Sequence, residues 1–498
     1  MMKNNYAAYT AQLRKAADVA HAISILHWDN EIFMPEKGAN FRARQISTLS
    51  TMCHELLTSP MLGELLDKLQ SDTTLNEWEQ RNVSESLKSY YKKQRLNSDF
   101  VAALSQATSE AYQTWLKARE ANDYQIFAPK LAKIVDLQRQ KADLLGYKNH
   151  PYNALADEFE PDITVTQLDQ IFAGARSQLV DFVREIAQCP PPNDDFLYKH
   201  YNKDTQWKYG LDLLKQMGYD FLAGRQDISP HPFTTTFSPT DVRVTTRINE
   251  NDFKEMTWSC IHEGGHALYE QGLNADYYGL PTGEAASLGI HESQSRLWEN
   301  NVGRSAAFWR GNYANLQAIF PENLGQVTAQ NFYKAINKVN PSLIRTNADE
   351  LTYHFHILIR YELEKELIAG NLLVADLSTA WNDKYKAYLG LDVPNDKMGV
   401  LQDIHWAYGN FGYFPTYSLG SFYAAQFYEQ AGKDIPQLEA YIEAGNMQPL
   451  LAWLQKNIYC YGRFYNSEDL CQKVTGQPLN FDCFMRYVKN KYNDLYDL

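Results

Sequence analysis

The chain of 498 residues has few cysteines, no long apolar run and no excess of basic residues. Its six cysteines lie far apart with no Cys-x-x-Cys pair, which favours reduced thiols in a cytoplasmic protein over a disulfide framework. No window approaches the roughly 20 apolar residues of a membrane span, and no signal-peptide run follows the N-terminus. Acidic residues outnumber basic ones by 60 to 47, a net charge of -13. We therefore expect no binding to nucleic acid or to anionic membranes.

The chain also lacks the Gly-x-Gly-x-x-Gly, P-loop and Gly-x-Ser-x-Gly motifs of nucleotide-binding proteins and serine hydrolases. Helical periodicity is abundant instead, with apolar residues three and four positions apart along most of the chain. Residues 228–248 differ, because three prolines precede a segment rich in Val and Thr, which predicts a loop and a short β-ribbon. With no repeat and no clear linker, the sequence predicts a mainly α fold. The expected architecture is a single domain over residues 1–498, a large helical body with a deep cleft and one short β-ribbon.

The strongest chemical signal is the segment His-Glu-Gly-Gly-His at residues 262–266. Residues four apart share one face of a helix, so the imidazoles of His262 and His266 can bind the same metal ion. Glu263 follows His262 directly and is positioned to take a proton from a metal-bound water. This pattern predicts a catalytic metal site with Glu263 as the general base.

The flanking residues indicate that this segment is helical. Asp252 and Glu255 match a capping box at the helix start, and Gly272 stands where a helix would end. Two adjacent glycines inside a helix cost about 2 kcal/mol relative to alanine. Close packing of this helix against the substrate ribbon is the expected reason for Gly264 and Gly265.

A catalytic zinc ion takes three protein ligands and leaves one position for water. The third ligand is expected from the next helical segment, which contains His291 and Glu292. Glu292 is favoured because a His-His-Glu set leaves a net charge of +1, and His291 is the alternative. This set suits zinc best, while cobalt or manganese can also occupy it.

Six motifs occur in an order that resembles the thermostable carboxypeptidase Taq family of metallocarboxypeptidases over nearly the whole chain. They are His-Pro-Phe at 231–233, Asp-Val-Arg-Val-Thr at 241–245, His-Glu-Gly-Gly-His at 262–266, His-Glu-Ser-Gln at 291–294, Ile-Arg-Thr-Asn-Ala-Asp at 344–349 and Gly-Val-Leu-Gln-Asp-Ile-His-Trp at 399–406. The resemblance implies an almost all-helical zincin, often a homodimer, that removes C-terminal residues from peptides. It also implies broad specificity and poor release of proline. His262, His266 and Glu292 are then the metal ligands, and Glu263 is the general base.

An enzyme of this kind must recognise the terminal carboxylate of its substrate, which an arginine does through two parallel hydrogen bonds. Arg345 and Arg243 are the candidates, and a structural salt bridge to Asp349 or Asp241 is the alternative for each. The ribbon from Asp241 to Thr245 is expected to line the cleft and to pair with an extended peptide as an added strand. Gln402, in the last of the six motifs, completes the predicted substrate-binding residues.

The tetrahedral intermediate needs a hydrogen-bond donor for its oxyanion beside the metal. Related helical zincins use a His and a Tyr from a later segment. By that resemblance, His405 with Tyr413 or Tyr417 is the expected pair. The main alternatives to a carboxypeptidase are a helical oligopeptidase that cuts internal bonds and a peptide-binding protein with a non-catalytic metal site.

Overall fold

The computed structural model describes residues 2–498, and its side chains from residue 5 onward. Most of these residues are helical, so the predicted mainly α fold is confirmed. In chain order the first ten helices are α1 (Met2–Ile32), α2 (Ala39–Leu57), α3 (Pro60–Gln70), α4 (Glu77–Arg95), α5 (Ser98–Ala121), α6 (Tyr124–Leu145), α7 (Tyr152–Ala156), α8 (Val165–Ile186), α9 (Lys203–Met217) and α10 (Phe253–Gln271). The remaining helices are α11 (Leu288–Arg296), α12 (Ala306–Ile319), α13 (Pro321–Leu324), α14 (Ala329–Ile336), α15 (Tyr353–Ala369), α16 (Leu377–Leu389), α17 (Pro415–Asp434), α18 (Leu438–Glu443), α19 (Gln448–Asn457), α20 (Ser467–Thr475) and α21 (Phe481–Tyr496).

Backbone contacts group the chain into two compact units. Unit 1 contains the residues up to 93 together with Asn193–Ile336 and Tyr423–Leu479, and unit 2 contains Gln94–Pro192, Asn337–Phe422 and Asn480–Leu498. Each unit is therefore assembled from three separate stretches of sequence. The single domain over residues 1–498 stays a prediction.

The only strands among residues 2–498 form one small sheet in unit 1. They are β1 (Gln226–Ile228), β2 (Thr234–Ser238) and β3 (Asp241–Thr246), in the spatial order β1-β3-β2. The predicted ribbon corresponds to the antiparallel β2–β3 pair, and β1 joins β3 in parallel on the other side. The expectation that residues 241–245 pair with a peptide is wrong, because β3 already has a partner strand along each edge.

Helix α10 carries the His-Glu-Gly-Gly-His segment, and it begins after Asp252 and ends before Gly272, as the sequence predicts. The side chain of Asp252 accepts a hydrogen bond from the backbone N–H of Lys254, and the helix ends at Gly272. Glu255 does not complete a capping box, since its carboxylate lies 3.6 Å from Nε of Arg247. The helix is buried on the side that carries the apolar residues Phe253, Met256, Ile261 and Leu268.

The paired glycines of α10 permit close packing against other helices. A Cβ at Gly264 would lie 2.7 Å from the Leu214 side chain on α9. A Cβ at Gly265 would lie 2.7 Å from the backbone of Gln294 and Ser295 on α11. Close packing is therefore the reason for the glycines, but their partners are two helices and not the ribbon. The contact at Gly265 brings α11 against the metal-binding face of α10.

In unit 2, α15 is buried around most of its circumference. Its apolar residues Ile357, Ile359 and Leu363 are at most 1 % exposed, and so are the polar residues Arg360 and Glu364. Buried ionisable groups need partners, and Arg360 pairs with Asp403 while Glu364 accepts a hydrogen bond from Tyr152. Across residues 2–498, no helix combines the length and the apolar character that crossing a membrane requires. All six cysteines are free thiols.

Candidate active site

His262 and His266 lie one turn apart on α10 and face the carboxylate of Glu292 on α11. Oε2 of Glu292 is 3.7 Å from Nε2 of His262 and 3.4 Å from Nε2 of His266. The three ligand atoms all lie within 4.8 Å of one another. A tetrahedral zinc ion with bonds of about 2.0–2.2 Å holds neighbouring ligand atoms about 3.3–3.6 Å apart. Both the spacing and the donor types therefore fit one divalent metal ion in unit 1.

His291, the alternative third ligand, is turned away from this group. Its Nε2 is 2.8 Å from Oε1 of Glu270, while its ring stacks on that of His266 with 4.4 Å between the centroids. Neighbouring residues of a helix do not share a face, so only Glu292 directs a ligand atom at Nε2 of both His262 and His266. The structure brings Glu292 to them.

A second group of charged residues surrounds these three side chains. Nδ1 of His262 is 2.9 Å from Oε2 of Glu299, a contact that orients the ring so that Nε2 faces Glu292. Nε of Arg296 donates to Oε1 of Glu292 over 2.7 Å, and Oε2 is the oxygen that faces both imidazoles. Arg304 donates to the other oxygen of Glu299. Glu299 lies in a π-helical turn, Leu297–Val302, that directly follows α11.

Burial and these neighbours set the protonation of two of the three ligands, His266 and Glu292. Burial and the adjacent His291 lower the pKa of His266 to about 3, so its imidazole is neutral near pH 7. Burial raises the pKa of Glu292, but Arg296 and His262 outweigh it and hold that pKa well below its usual range. A neutral imidazole and an ionised carboxylate are the forms that bind a metal ion.

Glu263 is 8 % exposed, and its side chain points toward the sheet. Its Oε2 accepts a hydrogen bond of 2.6 Å from the hydroxyl of Thr234 on β2. Burial raises the pKa of Glu263, whereas His262 and the Thr234 hydrogen bond lower it. A buried carboxylate with a raised pKa is suited to accept a proton and release it again.

The ribbon residues predicted to bind substrate are engaged with one another. Two nitrogens of Arg243 donate to the two oxygens of Asp241, each over 2.8 Å, and the guanidinium lies over the rings of Trp28 and Phe237. This contact is the salt bridge that the sequence offered as the alternative for Arg243. The buried hydroxyl of Thr245 is 2.7 Å from the hydroxyl of Ser229 and accepts the N–H of Phe233.

In unit 2, Arg345 belongs to a buried cluster of two arginines and one aspartate. Nε and Nη2 of Arg345 donate to Oδ1 of Asp403 over 3.1 and 2.8 Å, and Nε of Arg360 donates to Oδ2 over 2.7 Å. Asp349 is not the partner of Arg345, since its carboxylate accepts from backbone N–H groups at the start of α15. Two cations on one carboxylate leave a positive charge, which suits binding of an anion.

Gln402 supports this cluster from the backbone side. Its Oε1 accepts the backbone N–H of Arg345 over 3.0 Å, and its Nε2 donates to the carbonyl oxygens of Leu343 and Met398. Gln402 thus holds the segment that carries Arg345.

His405, Tyr413 and Tyr417 lie together in unit 2. Nε2 of His405 is 3.3 Å from the hydroxyl of Tyr417, and the His405 ring centroid is 5.4 Å from that of Tyr413. Burial lowers the pKa of His405 to about 4, so the ring is neutral near pH 7. A neutral imidazole N–H and a phenol are both hydrogen-bond donors.

The segment that carries these residues is tied to the buried Glu364. This carboxylate accepts hydrogen bonds from Tyr152 over 2.7 Å, from the indole of Trp406 over 2.8 Å and from the N–H of Gly412 over 3.0 Å. Trp406 and Gly412 adjoin His405 and Tyr413 in the chain, so Glu364 fixes the backbone on which both side chains stand.

The family model for the carboxypeptidase Taq (M32) metallopeptidases matches residues 8–492. The chain belongs to this family. It is 37 % identical to carboxypeptidase 1 of Bacillus subtilis (strain 168) over 486 residues, which cover 97 % of each chain. Among solved structures, that of CHT is 59 % identical and covers 98 % of this chain and 99 % of its own, with a TM-score of 0.97. The M32 carboxypeptidase from Deinococcus radiodurans R1 is 39 % identical, with coverage of 99 % and 100 % and a TM-score of 0.97.

Membership of the carboxypeptidase Taq family confirms two predictions made from the sequence. The family itself is the one that the six ordered motifs indicate, and the enzyme class is a metallocarboxypeptidase, a hydrolase of peptide bonds. A metallopeptidase requires a divalent metal ion. The His-His-Glu group in unit 1 is the only cluster of suitable ligands among residues 2–498.

Several residues in these clusters are absent from the sequence-based prediction for this carboxypeptidase. The sequence could have indicated Arg296 and Glu299, because they follow Glu292 by four and seven residues and so lie on the same face of a helix. Arg360 lies in a helix whose sequence reads as ordinary core, and its hydrogen bond to Asp403 joins residues 43 apart in the chain. Thr234 had no signal, because its contact with Glu263 joins two elements 29 residues apart.

Proposed function

We propose that this protein is a zinc-dependent carboxypeptidase that hydrolyses the C-terminal bond of peptides, with His262, His266 and Glu292 as the metal ligands. The observation that carries the proposal is the convergence of two imidazole nitrogens and one carboxylate oxygen within 4.8 Å of one another, with Glu263 on the same helix. Two imidazoles and a carboxylate favour zinc, and cobalt or manganese are the alternatives.

His262, His266 and Glu292 would hold the divalent cation, which when bound would supply Lewis-acid chemistry at the scissile carbonyl and at a water. Glu263 acts as the general base: its carboxylate takes a proton from that water and passes it to the leaving amine. The raised pKa of Glu263 supports the first transfer, because a more basic carboxylate accepts a proton more readily.

Arg345 is the proposed ligand of the terminal carboxylate. The Arg345 cluster contains two arginines and one aspartate, so one positive charge is left to bind a carboxylate. The charge of Arg243 is already paired with both oxygens of Asp241. Gln402 acts in substrate binding by holding Arg345, and Asp241 and Thr245 act by shaping the ribbon. His405 with Tyr417 is the proposed donor pair for the oxyanion, and Tyr413 packs beside them.

The resemblance to the family supports broad specificity, poor release of proline and a homodimer. Free thiols and the acidic composition support a cytoplasmic enzyme that acts on peptides and binds neither nucleic acid nor membrane.

The test is digestion of a peptide with a free C-terminus beside its C-amidated twin, with zinc, cobalt or manganese added and mass spectrometry as the readout. We expect loss of single residues from the free-acid peptide, with the ladder slowing where proline is C-terminal. The Glu263→Gln variant is the control and should cut neither peptide. Internal cuts in both peptides would instead indicate an oligopeptidase, and no cuts with any metal would favour a peptide-binding protein.

A further inference from the structure

The hydroxyl of Thr234 contacts Glu263 at two atoms. Oγ1 of Thr234 is 2.6 Å from Oε2 of the carboxylate and 3.1 Å from the backbone oxygen of the same residue. An ionised carboxylate only accepts hydrogen bonds, so Thr234 is the donor. Among the residues that the structure describes, Thr234 alone donates a hydrogen bond to the Glu263 side chain.

The position of Thr234 is fixed by the sheet. Thr234 pairs with Val244 in the antiparallel register of β2 and β3. The preceding residue, Phe233, accepts the backbone N–H of Thr245 over 2.9 Å and donates its own N–H to the Thr245 hydroxyl over 2.9 Å. A β-branched side chain on such a strand has few rotamers open to it. The pairing of β2 with β3 therefore fixes the position of the Thr234 hydroxyl.

This contact makes the two oxygens of Glu263 unequal. Oε2 is occupied by Thr234, so Oε1 is the oxygen left to take a proton from water. A glutamate side chain has three rotatable bonds, and catalysis is sensitive to errors of about 1 Å in the placement of a reacting group. We propose that Thr234 is a positioning residue that fixes the general base through its hydroxyl. The proposal rests on the proposed role of Glu263.

The test compares three single variants with the wild-type zinc enzyme on one free-acid peptide. Thr234→Val removes the hydroxyl and keeps the shape of the side chain, whereas Thr234→Ser keeps the hydroxyl. The control is Thr236→Val, on the same side of β2. It removes a hydroxyl that has no hydrogen-bond partner among the described residues. Loss of a hydrogen bond to a charged group changes a rate or equilibrium constant by about 10- to 100-fold. We expect Thr234→Val to lower kcat by that factor with KM changed less than threefold. The kcat of Thr234→Ser should stay within about fivefold of the wild-type value. The kcat of Thr236→Val should equal that of the wild type.

Zinc affinity, measured by competition with a chelator, separates positioning from a structural role. It should be unchanged in Thr234→Val if only the base is misplaced. Thr234→Ala supplies a second variant without the hydroxyl should the valine fail to fold. The proposal is overturned if a folded hydroxyl-free variant keeps its kcat, if Thr234→Ser loses as much as Thr234→Val, or if the loss of rate follows a loss of zinc. Failure of the proposed function looks different, since the wild-type enzyme would then release no C-terminal residue or Glu263→Gln would remain active.

Discussion

Nδ1 of His262 lies 2.9 Å from Oε2 of Glu299, on the side of the ring opposite the nitrogen that faces Glu292. The same unit contains a second histidine–glutamate pair, His291 with Glu270 at 2.8 Å, which stands outside the group of three ligand atoms. Both pairs join an imidazole nitrogen to a glutamate carboxylate, but only His262 faces the metal position, and Glu299 also accepts a hydrogen bond from Arg304. They therefore allow a matched test of the site.

We predict that Glu299→Leu weakens zinc binding by about 10- to 100-fold, because the partner of a metal-binding histidine fixes its ring and its tautomer. Glu270→Leu is the control and should change zinc affinity by less than about threefold. Both affinities are measured by titration against a chromogenic chelator. Equal losses in the two variants would contradict the assignment of His262 as a ligand in preference to His291.

Gly265 gives a second prediction, which concerns the packing of α10 on α11. A methyl group there would meet the backbone of Gln294 and Ser295 at 2.7 Å, and backbone atoms of a packed helix cannot move aside cheaply. Gly265→Ala should cost about 1–3 kcal/mol of stability and weaken zinc binding, because α11 carries Glu292. A methyl group at Gly174, inside α8, would have no atom within 4 Å, so Gly174→Ala should leave the protein as stable or slightly more stable. Thermal melts with and without zinc measure both effects, and similar melts for the two variants would refute the packing argument.

The third prediction separates the two candidate arginines. Arg345→Gln should lower kcat/KM for a free-acid peptide by about 10- to 100-fold, since it removes one charged partner of the terminal carboxylate. Arg243→Gln should have a smaller effect, because the Arg243 fork is already bound to Asp241. The readout is kcat/KM on peptides that differ only in a free or an amidated C-terminus. A larger loss in Arg243→Gln would reverse the assignment.

Glu364 gives a prediction for the pH dependence of stability. Burial raises its pKa from 4.5 to about 7, although three hydrogen bonds and Arg360 oppose the shift. Between these two values the folded protein holds a proton that the unfolded chain has released, so this group makes stability fall as the pH rises. Its contribution to that decline is about 3 kcal/mol.

Replacement of the carboxyl removes this dependence. Glu364→Gln should flatten the decline in unfolding free energy between pH 5 and 7, whatever its stability at any one pH. Glu366→Gln, on the same helix and partly exposed, should keep the wild-type dependence. Urea unfolding at several pH values gives the comparison. Parallel curves for wild type and Glu364→Gln would show that Glu364 ionises normally when folded.

Local sequence determined the elements that depend on neighbouring residues. The helix from Phe253 to Gln271 follows from its periodicity, its Asp252 cap and its Gly272 end, and this helix alone places His262 and His266 on one face. The β2–β3 ribbon follows from the change to Val and Thr after the prolines. The ordered motifs likewise identify the family without any coordinates.

Tertiary structure decided what depends on elements distant in the chain. Glu292 and His291 are adjacent and both able to bind metal, and only the packing of α11 on Gly265 turns Glu292 toward the imidazoles. Strand order likewise decides that β3 is central and cannot accept a peptide strand. The Thr234–Glu263 hydrogen bond belongs to the same class, since it exists because β2 lies beside α10. Periodicity determines which face of an element a residue occupies, whereas the partner of that face is chosen by contacts that no local pattern encodes.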